Sequence, residues 1–69
     1  MRLSHAVLQI RLARAIVRAE RLRGGATPEM IQRATEVVER GAIAIEAQAD
    51  EELLRLLSSA REELSMPPD

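Results

Sequence analysis

The sequence predicts an all-α protein: an antiparallel helical hairpin, with helix 1 at about 2–23 and helix 2 at about 28–65, that assembles with further copies into a helical bundle. Three observations predict it. A helix-stop signal and a helix-start signal lie a few residues apart. The first helix carries apolar residues on two faces. The apolar content is entirely aliphatic and exceeds what a lone hairpin can hide.

Residues 2–23 contain no glycine or proline and consist mostly of good helix formers. Gly24-Gly25 ends this helix, because glycine accepts the left-handed conformation of a C-terminal cap. Thr27-Pro28-Glu29 begins the next. Thr27 can accept a hydrogen bond from an unpaired backbone N–H, and Pro28 fits the first helical position, where a missing donor costs nothing. Glu29 complements the positive end of the helix dipole. Stop and start so close together specify a tight αα-hairpin.

From Pro28 the helical pattern runs to about Ser65, ahead of Pro67-Pro68. An eleven-residue repeat passes through it. Ile31, Ala42, Leu53 and Leu64 form one row; Ala34, Ile45 and Leu56 a second; Val38, Ala49 and Ala60 a third. That spacing is about 3.67 residues per turn, which a nearly straight helix can hold. Two features allow a kink or break near 48–52. Asp50-Glu51-Glu52 has the form of an N-cap followed by acids in the first turn. The apolar face before Ala49 is also turned about 95° from the face after it. The repeat, and the absence of glycine or proline between residues 42 and 64, favour a continuous or mildly kinked helix. Gly41 inside it costs up to ~1 kcal/mol against alanine, unless it marks a close approach of helices.

Length then links secondary structure to assembly. Helix 1 spans ~33 Å and an unbroken helix 2 ~55 Å. The overhang carries Leu53, Leu54, Leu56 and Leu57, which another chain must cover. A broken helix would fold residues 51–65 back and cover them internally.

The 69 residues form one helical domain, 1–66, with a short tail at 67–69. Cys, Phe, Lys, Asn, Trp and Tyr are absent. Without cysteine there is no disulfide framework, zinc finger or thiol nucleophile. One histidine cannot supply a His-rich metal site or a Ser-His-Asp triad within one chain. Without aromatic rings there is no base-stacking platform. A domain this short sits near break-even between burial and chain entropy, so burial against other copies is an expected remedy. No stretch approaches the ~20 apolar residues of a membrane span, and the start lacks the apolar run of a signal peptide. The expected location is the cytoplasm, or a bacterial host for a synthetic chain.

Helix 1 has two apolar stripes. Leu3, Ala6, Val7, Ile10, Ala13 and Val17 form one; Leu8, Leu12, Ala15, Ile16, Ala19 and Leu22 form the other. A helix on the outside of a monomeric bundle needs one stripe, so two mean two neighbours. Residues 1–23 hold six Arg and one Glu, whereas residues 24–69 hold four Arg and ten acids. The asymmetry suits neighbouring helices of opposite charge, which sets pairing and orientation more than stability. The expected contacts between chains are Leu8, Leu12, Ile16, Ile43, Ile45, Leu53, Leu54, Leu56 and Leu57.

Other motifs yield bland readings. Arg11, Arg14, Arg18 and Arg21 form a basic stripe of the kind that phosphates require. The overall charge of −1 and the acidic second half make salt bridging the better reading, with no nucleic acid as partner. His5 lacks co-ligands in one chain, so no metal or cofactor is expected. Glu51-Glu52 and Glu62-Glu63 point about 100° apart on a helix and do not converge for acid–base chemistry. Ser58-Ser59 has no nearby base. Glu36 and Arg40 have the favourable i, i+4 order. Met30 suits packing in the hairpin. No catalytic residues and no small-molecule substrate are expected.

The loop Gly24-Gly25-Ala26-Thr27-Pro28-Glu29 and the segment Asp50-Glu51-Glu52-Leu53-Leu54-Arg55-Leu56-Leu57 resemble those of computationally designed helical-bundle and helical homo-oligomer proteins, and local propensity agrees with the hydrophobic pattern nearly throughout. The resemblance covers the whole chain but rests on style, not on a diagnostic motif. The missing lysines, Gly41 within a helix and the tail Ser65-Met66-Pro67-Pro68-Asp69 depart from it. It implies self-assembly as the function. The alternatives are a small natural adaptor that binds another protein through the same surface, and a basic-helix nucleic-acid binder.

Overall fold

A computed structural model describes residues 2–68. Three helices pack together: α1 (Leu3–Leu22), α2 (Pro28–Gln48) and α3 (Glu51–Leu64). The first turn is built as its sequence specifies. Gly24 takes the left-handed conformation, with φ 71°. The Gly25 N–H donates to the Glu20 carbonyl at 2.8 Å and the Gly24 N–H to that of Arg21 at 3.1 Å. These two bonds are a Schellman cap, which satisfies carbonyls that the helix end leaves open. At the start of α2, Thr27 Oγ1 accepts from the Met30 N–H at 3.2 Å, with Pro28 in the first turn.

The second connection corrects the expectation of one helix over 28–65. The chain breaks after Gln48. Ala49 turns left-handed (φ 53°, ψ 30°), and Asp50 caps α3, accepting from the backbone N–H groups of Glu52 and Leu53 at 2.9 and 3.2 Å. An L-residue in this conformation costs about 1–2 kcal/mol. Full burial of one leucine contributes about 1.5–3 kcal/mol, so the fold-back is favourable once Leu57 and Leu64 are covered. The turned apolar face after Ala49 was the trace of this break.

The core is aliphatic, with Ile10, Val17, Val38, Ile45 and Leu57 essentially inaccessible to solvent. Ala6, Ala13, Ala34, Ala42 and Ala60 are buried beside them. Gly41 marks a close helix approach: a Cβ built there would lie 3.0 Å from Ile10 Cδ1, 3.1 Å from Ile10 Cγ1 and 3.3 Å from the Ala6 carbonyl oxygen. The helix-propensity cost of a mid-helix glycine is therefore exchanged for contact between α1 and α2.

Candidate self-association surface

The core claims one stripe of α1. Ala6, Ile10, Ala13 and Val17 are buried, with Leu3 and Val7 packed against them. At about 100° per residue, Leu8, Leu12, Ala15, Ala19 and Leu22 lie on the opposite side of the helix. All five are exposed, and Ile16 beside them is too. Leu8 is 54% accessible, Leu12 47%, Ile16 56% and Leu22 87%. These values decide the matter: among the described residues, neither α2 nor α3 covers the second stripe.

The other expected contact residues divide. Ile43 is exposed on the outer side of α2. Ile45 and Leu57 lie in the monomer's own core, so neither can touch a sister copy without opening the fold. Leu53 and Leu56 are half-buried against that core, and Leu54 is exposed at 37%. The leucine cluster is thus sealed mainly from within, because the break at Ala49 returns it to α1 and α2.

Ile16 also connects the stripe to an open groove of about 360 Å³ between α1 and α2. Ala13, Val17, Met30, Ala34 and Val37 floor it, with Glu29 and Arg33 among its lining residues. The groove is not legible in the sequence, because its lining comes from two helices whose packing the sequence pattern does not fix. Met30 was its one sequence signal.

The arginine face is largely spent on α3. Glu63 accepts from Arg14 Nε and, at 2.6 Å, from Arg18 Nη2. Arg21 donates to the carbonyls of Met66 at 2.9 Å and Pro67 at 2.6 Å. This places a cation against the negative end of α3. Since α1 and α3 run parallel, Arg14 and Arg18 converge on Glu63, and Arg21, about one turn further along α1, reaches the carbonyls just beyond the end of α3. On its other flank, α3 is tied to α2 by Arg61 and Glu39, whose two hydrogen bonds measure 2.7 and 2.8 Å. Arg55 pairs with Glu51 at 3.7 Å along α3. No ion pair joins Glu36 to Arg40 among the described residues.

These pairings shift two carboxyls. Partial burial opposes ionisation of Glu63, but hydrogen bonds from Arg18 and Arg14 outweigh it and hold the group below its ordinary 4.5. Glu39 is lowered chiefly by its hydrogen bonds from Arg61. A carboxyl with a lowered folded-state pKa stabilises fully above the unfolded value and loses that contribution as pH falls through the folded value. Thermal stability is therefore expected to drop on acidification below about pH 4.5. Glu63→Gln should flatten that drop in melts followed by circular dichroism; an unchanged pH profile would count against the clamp. Exposed pairs contribute only about 0–1 kcal/mol each, so the change is modest.

His5 and Gln9 line a shallow dent with Val37 and Arg40. Among the described residues, no group of three or more His, Asp or Glu stands where it could hold a metal. No described helix is long and apolar enough to cross a membrane. The chain matches no family model, no curated protein and no solved structure.

Proposed function

We propose that this chain is a structural self-assembly module: a helical bundle whose copies pair through the outer stripe of α1, with no catalytic role. The observation that carries the reading is the exposure of Leu8, Leu12, Ile16 and Leu22 in one row on a 20-residue helix. An apolar row of this kind on a small soluble protein marks a binding surface. A second copy fits it. In an antiparallel pairing of two α1 helices centred on Ala15, Leu8 faces Leu22, Ala15 faces itself, and Leu12 lies beside Ala19, offset by about one residue. Leucines then meet at the two ends of the row and alanines at its centre, along a two-fold interface. The resemblance to designed helical assemblies supports the same reading.

Charge sharpens the test. Two-fold symmetry brings like flanks together, so Arg11 of one copy approaches Arg18 of the other, and Arg18 is already partly neutralised by Glu63. Association should therefore strengthen with added salt, which screens this repulsion. Binding of nucleic acid through the same arginines would weaken instead. In sedimentation equilibrium, the parent should exceed 7.7 kDa at micromolar concentration. Leu12→Glu with Ile16→Glu should reduce it to a folded monomer. A parent that stays monodisperse at 7.7 kDa overturns the proposal.

The groove beside Ile16 favours a second reading, in which a partner protein lays an apolar helix face between α1 and α2. It predicts a discrete complex with that partner, lost on Val37→Glu, and no self-association.

A further inference from the structure

Ala49 and Asp50 are the whole connection between α2 and α3. Among the described residues, Ala49 is the one non-glycine with positive φ. Its side chain disfavours the turn it makes, and alanine is the strongest helix former. The three rows of the eleven-residue repeat keep their spacing through this joint: Ala42 to Leu53, Ile45 to Leu56, and Ala49 to Ala60. The repeat is thus compatible with an unbroken helix, although its apolar face turns by about 95° at this joint. What holds α3 back is the Asp50 cap and its contacts with α1 and α2. A second copy offers those same surfaces.

We infer that the chain has a second form, a dimer in which α2 and α3 join into one helix through Ala49 and Asp50, and each α3 docks on α1 and α2 of the other copy. Short strained hinges favour such exchange. Leu57, Ala60 and Leu64 fill the same space as in the monomer, and Glu63 meets Arg14 and Arg18 of the partner subunit. The left-handed turn disappears, at the loss of the Asp50 cap. The exchange does not rest on the outer stripe of α1, because Leu8, Leu12 and Ile16 stay in solvent.

Charge complementation tests it. One variant carries Arg14→Glu and Arg18→Glu, the other Glu63→Arg. Alone, each sets like charges against each other whether or not α3 is exchanged. When the two are unfolded together, refolded at high concentration and weighed by native mass spectrometry, the exchanged heterodimer restores every pair. Heterodimers should exceed either homodimer by roughly tenfold or more. Monomers alone, or a statistical mixture of dimers, overturn the inference.

Hinge variants of the otherwise unaltered chain give an independent reading. Ala49→Gly relieves the turn and weakens the joined helix, so dimerisation by exchange should fall roughly a hundredfold or more. Asp50→Ala removes the cap and should raise it about tenfold. A dimer held by the outer stripe responds to Leu12→Glu and ignores residues 49 and 50. A dimer held by exchange does the reverse. Dimer populations that ignore both hinge variants overturn the inference and leave the stripe proposal standing.

Discussion

Gly41→Leu is expected to lower stability by about 3 kcal/mol or more, near the upper end of overpacking costs. The site is already tight for the first added carbon. A Cβ there would meet Ile10 Cδ1 at 3.0 Å and the Ala6 carbonyl at 3.3 Å, and the latter is backbone that cannot swing aside. Leucine adds three further carbons on the same line, so α1 must move away from α2. A domain of this size is stable by roughly 3–10 kcal/mol, at ~0.05–0.15 kcal/mol per residue, so much of the population unfolds. Two milder changes test the cause. Gly41→Ala gains up to ~1 kcal/mol of helix propensity against the squeeze on Ile10 and should end near neutral. Ile10→Val removes the nearest carbon, so alanine at 41 should be better tolerated in that background. Urea titration of the four proteins gives the coupling directly. A leucine variant as stable as the parent would refute the close approach.

The second large effect is expected at Leu57. It is the largest fully buried side chain that α3 contributes, at 2% exposure. Leu57→Ala should cost about 2–5 kcal/mol. The loss falls on a 14-residue helix, a length that is marginal in water without packing. Helical signal should therefore fall as α3 undocks and melts, ahead of full unfolding of α1 and α2. Leu54→Ala is the control, because Leu54 is exposed and should change stability by less than about 0.5 kcal/mol. Equal costs at the two positions would mean that α3 does not sit as described.

The contrast between Leu54 and Leu57 shows where sequence reading reached its limit. The first hairpin was legible because glycine, threonine and proline each have a local reason to be there, and their bonds form as expected. The second turn is made by Ala49, a residue whose own preference is helical, so nothing at that position announces a break. Asp50 and the turned apolar face did announce it, but the eleven-residue repeat argued equally for continuity. Core membership of Ile45, Leu53, Leu56 and Leu57 hung on that one joint. The outer stripe of α1 was legible regardless, since a single helix cannot point opposite faces at one interior. Glu63 as the anchor for Arg14 and Arg18 was not, because only the fold-back brings the end of α3 beside α1.

Where α1 crosses α2, the residues that meet Ile10 are already at the lower limit of size. Gly41 has nothing left to trim, and Ala6 has one carbon. Random mutation at this crossing therefore has one direction, toward bulk. Its permitted alphabet should be far narrower than that of the big aliphatic positions, which can trade shape among themselves.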